Sequence, residues 1–272
     1  MAGMEAVDGD LVFFLGGRDL EMATIRDLVA DTLGLAAVRD GGLGWGARLS
    51  DYAAELAGLG PGQVPVLVEL ALDRPLPPAA VVVDHHGPAA GRHAPTALEQ
   101  VFRLLGLPPE RWTRHLALVA ANDRGHVRAM RAIGATADEI AAIRQADRRA
   151  QGITAAEEED ALAALARAER HLDGRLLVVR LPHDRTATVM DRIAPDDGAI
   201  ANVLILCPAE VDFFGIGAAV VALDAAFPGG YCGGDLPEAG FWGHRTPTPA
   251  EDALLGVLGQ VLPAAPPPSL SR

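Results

Sequence analysis

Through the first 120 residues, short apolar runs alternate with helical patterns, and each run is cut off by glycine, proline or an acid. Leu11-Val12-Phe13-Phe14-Leu15 stops at Gly16-Gly17, and the runs at 64–70 and 79–83 are rich in valine. Apolar stretches this short and this continuous fit strands buried on both faces, as in a parallel sheet covered by helices. Helical periodicity predicts helices over 19–33, closed by Gly34, and over 49–59, with a weak strand at 36–38 between them. Further helices are predicted over 95–105, 109–121 and 137–149. The fold class expected is α/β, a mostly parallel sheet with flanking helices, followed by a smaller α/β C-terminal lobe.

The second half reads differently. Residues 154–171 carry Glu157-Glu158-Glu159-Asp160 and then Ala, Leu and Arg, a strong helix former with acids in its first turns. After Gly174 come strands at 175–181 and 199–207, a helix at 217–227, a glycine-rich segment and a last helix over 249–262. The expected organisation is a catalytic domain over 1–150, a connecting helix over 151–173, a C-terminal lobe over 174–262 and a frayed tail over 263–272.

Composition removes several kinds of chemistry. All 23 basic residues are Arg, so Schiff-base chemistry and a P-loop lysine are excluded. Ser occurs only at Ser50, Ser269 and Ser271, and Ser50 lacks a nucleophile-elbow context. The formal charge of −13 disfavours long duplex nucleic acid and anionic membranes, both of which need clustered positive charge. Small anionic substrates, held by local Arg groups and backbone amides, stay open. Two cysteines are too few for a disulfide framework, and the N-terminus carries no signal-peptide pattern. No apolar run is long enough to span a membrane. A cytoplasmic protein is expected.

The sharpest local feature is Val81-Val82-Val83-Asp84-His85-His86, a buried strand that ends in one carboxylate and two imidazoles. Such groups at the carboxyl end of a strand in an open α/β sheet are well placed for a site, and they are ligands for divalent transition metals. A polar turn is the plain alternative. Other strand ends also carry acids: Asp19 and Glu21 after the first, Asp40 after the second, and Glu69, or else Asp73 just beyond it, after the third. Asp123, in Asn122-Asp123-Arg124-Gly125, ends a helical run. Clustered carboxylates repel one another, and a bound cation is the simplest way to hold them together.

Asp84-His85-His86 after an apolar strand resembles the naming motif of the DHH phosphoesterase superfamily, in its RecJ-like and oligoribonuclease-like members. Ala94-Pro95-Thr96-Ala97-Leu98-Glu99 is similar to the element that follows that motif, and Asn122-Asp123-Arg124-Gly125 is similar to a later one. Gly229-Gly230-Tyr231-Cys232-Gly233-Gly234-Asp235 looks like a modified form of the C-terminal phosphate loop. Two motifs depart from the pattern. Where the first is usually His-x-x-x-Asp-x-Asp, this chain has no aligned His and has Glu21 at the last position; Glu69 stands for the Asp of the second.

The resemblance implies a metal set of Asp19, Glu21, Glu69, Asp84, His85 and Asp123, holding one or two Mn2+ or Mg2+ ions. It implies catalytic roles for Asp84, His85, His86 and Asp123. Substrate contacts fall to His86, Arg92, Thr96, Arg124, Gly233, Gly234, His244 and Arg245, with Arg18, Trp45 and Trp242 as neighbours of the motifs. For any one of these Arg residues a surface position is the commoner reading, and for either Trp a packing role is. The activity implied is hydrolysis of a small nucleotide-type phosphate ester by water activated on metal. A pyrophosphate or polyphosphate hydrolase is the second reading. A catalytically degenerate nucleotide-binding member is the third. The partner expected is a small phosphorylated nucleotide, with no long duplex and no membrane, and a homodimer is left open.

Overall fold

A computed structural model describes residues 9–44, 46–85, 94–193, 202–234, 236 and 238–263. It divides into two compact units, 1–152 and 153–272. No helix among the described residues is long and apolar enough to cross a membrane.

The first unit runs β1 (Asp10–Leu15), α1 (Leu20–Leu33), β2 (Val38–Asp40), α2 (Ala53–Ala57), β3 (Gln63–Val68), β4 (Val81–Val83), α3 (Ala97–Leu104), α4 (Arg114–Ala132) and α5 (Ala137–Ala150). Its four strands are all parallel, in the order β2-β1-β3-β4. The register matters for everything that follows. Leu15 pairs with both Asp40 and Val68, and Val68 pairs with Val83. All four strands therefore end on one line, and the residues that come next share one rim.

Both faces of this sheet are covered, which is why its strands read as unbroken apolar runs. Phe13, Leu15, Val66 and Val68 pack with Ile25, Val29, Leu98, Val101 and Val119 from α1, α3 and α4. Val12, Phe14 and Leu67 pack on the other face with Leu49, Tyr52 and Leu70. Each fully buried side chain of this size contributes about 1.5–3 kcal/mol of transfer free energy. At Gly16 any side chain is excluded: a Cβ there would lie 2.2 Å from the carbonyl oxygen of Glu69. The ends of β1 and β3 approach that closely.

The second unit runs α6 (Ala155–Ala166), β5 (Glu169–His171), β6 (Leu176–Arg180), α7 (Ala187–Ile193), β7 (Val203–Leu206), β8 (Glu210–Ile216), α8 (Gly217–Ala226), β9 (Tyr231–Gly233), β10 (Ala239–Arg245) and α9 (Glu251–Val261). Its strand order is β5-β6-β7-β8-β10-β9, and only β6 and β7 are parallel. Helices α8 and α9 pack on one face against Val211, Phe213 and Trp242. On the other face, Ala161 and Ala164 of α6 and Val189 of α7 meet Val179, Val203 and Ile205.

Several expectations need correction. The helix expected to connect two lobes over 151–173 is shorter; its buried alanines belong to the core of the second unit, and the chain divides before it, at 152/153. The weak strand at 36–38 is a 3₁₀ turn over Leu35–Ala37 and then β2. The helix at 49–59 is a 3₁₀ turn, Leu49–Tyr52, followed by α2. Helix α4 does not stop near residue 121; it continues to Ala132, with non-helical backbone at Gly125 and His126. The glycine-rich segment is not simply a loop. Tyr231, Cys232 and Gly233 form β9 and pair antiparallel with β10. Glycines on both strands make room for rings: a Cβ at Gly233 of β9 would lie 2.7 Å from the Phe241 ring, and one at Gly243 of β10 would lie 2.3 Å from that of Tyr231. Strands β8 and β10 and helix α7 are elements that the sequence pattern does not reveal.

Candidate metal centre

Four side chains meet at the rim of the parallel sheet. Glu21 lies in the first turn of α1, Glu69 directly follows β3, His85 stands two residues beyond β4, and Asp123 comes from α4. One ligand atom from each lies within 4.8 Å of the others. His85 is central: Nδ1 is 2.8 Å from Glu69 Oε1 and Nε2 is 2.6 Å from Asp123 Oδ2.

Each element places its donor for a local reason. Glu69 takes a left-handed backbone with φ of 52°, strained for a residue with a side chain, while its N–H still donates to the Val83 carbonyl at 2.8 Å. The ladder is thus extended one residue past β3 and fixes where the carboxylate leaves the sheet. Asp19 caps α1 by accepting from the Met22 N–H at 2.8 Å, which starts the helix one residue before Glu21. Asp123 sits two residues before the break in α4, at the end of the regular part of that helix. A helix C-terminus disfavours a negative charge, so this carboxylate needs a positive partner.

Glu21 is buried, with 2% of its surface exposed, and its two oxygens differ. Oε1 accepts from the Leu98 N–H at 2.9 Å, at the start of α3. Oε2 is buried with no hydrogen-bond partner. The extra methylene that separates Glu from the expected Asp has a use here, since this side chain also caps a neighbouring helix.

Burial and the closeness of the carboxylates set the electrostatics of the group. Burial pushes the Asp19 carboxyl up to about 7; the Met22 N–H opposes this, and the nearby carboxylates Asp123, Asp147 and Glu69 add to it. Burial likewise raises Glu21 well above the carboxylate range, with Asp123 and Glu69 adding to the effect. For His85, burial acts downward, but hydrogen bonds to Asp123 and Glu69 and their charges outweigh it, and the imidazole rises to about 10. A protonated His85 is what balances its two carboxylates when nothing else does.

Of the residues singled out by sequence, Glu21, Glu69, His85 and Asp123 form this group. Asp19 caps α1 through one carboxylate oxygen, and Asp84 directly precedes His85, its backbone carbonyl accepting from Gln100 Nε2 at 3.1 Å. Thr96 is fully buried as the cap of α3, its hydroxyl accepting from the Glu99 N–H at 3.3 Å. Arg124 is exposed and paired with Glu99 at 2.6 Å. His86, Arg92, Trp45 and Asp235 lie outside the described residues. Gly233, Gly234, His244 and Arg245 belong to the second unit. There His244 Nδ1 is 2.7 Å from the Arg245 carbonyl, and Arg245 is 3.9 Å from Glu210. Trp242 is a core residue. Sequence reading gives no role to Asn122, which it sees only as part of a motif, nor to Arg144 and Asp147; all three are buried and are bonded to one another or to the first turn of α1.

No family model matches the chain, and no curated protein matches its sequence. Solved structures do resemble it in three dimensions. A DHH domain from a member of the s1p family of ribosomal proteins is 11% identical, with 93% of this chain and 86% of that one covered and a TM-score of 0.55. RecJ of Thermus thermophilus in complex with Mn2+ is 15% identical, with 94% of this chain and 53% of that one covered and a TM-score of 0.52. The same RecJ with Mg2+ is 17% identical, with 95% and 51% covered and a TM-score of 0.52. The chain thus spans about half the length of the two RecJ structures. The fold is that of DHH-domain proteins, as Asp84-His85-His86 led one to expect.

Proposed function

We propose that this chain is a metal-dependent phosphoesterase of the DHH type, hydrolysing a small nucleotide-type phosphate ester. The substrates in view are a short oligonucleotide, phosphoadenosine phosphate or a cyclic dinucleotide. The observation that carries this reading is the meeting of Glu21, Glu69, His85 and Asp123, from four separate parts of the chain, within 4.8 Å. Three carboxylates and an imidazole suit Mn2+ or Mg2+ better than a soft, thiolate-bound ion. The buried, unpartnered Oε2 of Glu21 fits a donor set that expects a cation. The RecJ structures of this fold are complexes with those two ions.

Those four residues would hold one ion, and a second would draw on Asp19 or Asp84. A divalent ion bound here supplies a Lewis acid for a phosphoryl oxygen and lowers the pKa of water. Around it the chain's own groups position substrate. Arg124, exposed next to Asp123, and Arg18, exposed between β1 and α1, are the cations available to a phosphate. Hydrolysis by water needs no protein nucleophile. That agrees with a chain that has no Lys and whose Ser50 is hydrogen-bonded to Asp73.

The test offers purified protein and Mn2+ a dinucleotide, phosphoadenosine phosphate, a cyclic dinucleotide and pyrophosphate. Product from a nucleotide, lost in Asp123→Ala and Glu69→Ala, is the expected result. Product from pyrophosphate alone would move the assignment to polyphosphate chemistry. Inertness towards all four with nucleotide binding retained would make the chain a binding protein.

A further inference from the structure

Among the described residues, seven polar or charged side chains are buried, and five of them, Glu21, Thr96, Asn122, Arg144 and Asp147, lie around the centre just described. Arg144 is the one Arg among the seven. It faces Asp147 across one turn of α5, with Nη1 2.8 Å from Oδ2 and about 6% of each side chain exposed. An ion pair taken this far from water loses most of its Coulombic gain to desolvation, and apolar residues of similar volume are often as stable. Stability alone is therefore a weak reason for this pair, and its bonds show a different one.

Asp147 Oδ1 accepts from the Leu20 N–H at 3.0 Å, which anchors the first turn of α1 beside Glu21. Arg144 Nη1 also donates to Asn122 Oδ1 at 2.9 Å, beside Asp123. From Glu21 the path continues through Oε1 to the Leu98 N–H of α3. Glu99, the next residue of α3, accepts from Arg124 Nη2 at 2.6 Å, on the other side of Asp123. The path closes on itself, α4 to α5 to α1 to α3 and back to α4; Glu21 is on it, and Asp123 lies between its two ends in α4, Asn122 and Arg124.

We propose that Arg144 and Asp147 are positioning residues for the metal centre, holding Glu21 and Asp123 at ligand separation through this closed circuit of hydrogen bonds across four helices. The inference rests on the reading of that centre as a metal site. Second-layer groups of this kind typically account for 10–100-fold in metal affinity, because they fix ligands whose own flexibility would otherwise have to be frozen on binding. Removing Arg144 alone would also change the local charge. The informative change is therefore the charge-neutral double variant Arg144→Met/Asp147→Asn, in which the introduced amide oxygen can still accept from the Leu20 N–H.

Mn2+ titration followed by electron paramagnetic resonance of the free ion, with thermal unfolding measured in parallel without metal, separates the roles. The expected result is a Kd weakened 10–100-fold in the double variant, with its unfolding temperature within a few degrees of the parent. Asn122→Ser cuts the circuit at one bond and is expected to weaken binding in the same direction by less. It decides the matter if the double variant does not fold. Ile143→Val, a core change on the same helix, lowers stability and leaves the Kd unchanged. Folded variants that bind Mn2+ as tightly as the parent would overturn the inference while leaving the metal centre standing. An equal weakening by Ile143→Val would overturn it too, since general loosening would then suffice. A parent chain that takes up no Mn2+ would overturn the metal reading itself, and this inference with it.

Discussion

The first unit gathers its buried polar groups at one point, and the second scatters them. In the first, the acids stand beyond the ends of strands that finish in register, so a parallel sheet brings them to one rim. In the second, where all neighbours but β6 and β7 run antiparallel, the buried acid Asp212 lies within strand β8. Its Oδ1 accepts from the Tyr231 hydroxyl at 2.8 Å, and the Tyr231 ring crosses the space that Gly243 leaves open. One unit answers its buried charge with a neutral phenol. The other assembles carboxylates around a histidine, an arrangement that offers a donor set to a cation. Strand direction decides which outcome is available, because only parallel strands deliver several chain ends to the same edge.

The comparison breaks most readily at the ligands. His85→Ala and Glu69→Ala are expected to lower hydrolysis on the order of 1000-fold, since a bound divalent ion contributes several kcal/mol to such a reaction. Asp212→Asn leaves Mn2+ affinity unaltered; steady-state rates and metal titrations of all three check this. The next effect is on pH. Burial, more than any other cause, holds the Asp212 carboxyl up at about 6, against 3.8 when unfolded. The folded chain thus keeps a proton that the unfolded chain releases, and between these values stability falls as pH rises. The loss is on the order of 3 kcal/mol, complete above about pH 6. Denaturant titrations at a series of pH values should show this slope flattened in Asp212→Asn.

Metal addition sharpens the contrast further. Mn2+ at 100 times its Kd should stabilise the chain by about 2.7 kcal/mol, and a chelator should reverse this. Amide exchange should slow in α1, α3 and the turn after β3, with β8 to β10 unchanged. The smallest expected effect is at α6, where Thr154 accepts from the Glu157 N–H at 3.3 Å in a capping box. Thr154→Ala should lower stability by about 1 kcal/mol with no change in metal affinity.

How much of this was legible follows from what each residue does locally. Glu69, His85 and Asp123 could be found because they interrupt apolar or helical runs, and the parallel pattern implied a shared rim. Glu21 could be found only through its spacing from Asp19, and its second role as a cap for α3 is a tertiary fact. Arg144 and Asp147 were illegible, because an Arg and an Asp among the polar residues of α5 look the same whether they face solvent or another helix. Strands β9 and β10 were obscured by glycine, which weakens a strand pattern but here admits the rings of Tyr231 and Phe241. The fold class is legible all the same, because the long apolar runs, not the glycine-rich pair, determine the layers.

The bond from the Leu98 N–H to Glu21 has a practical consequence. A carboxylate whose one oxygen grips a backbone amide transmits any change at its other oxygen to that amide. In an isotope-labelled sample, the Leu98 resonance would therefore act as a built-in gauge of occupancy, readable without substrate and without turnover.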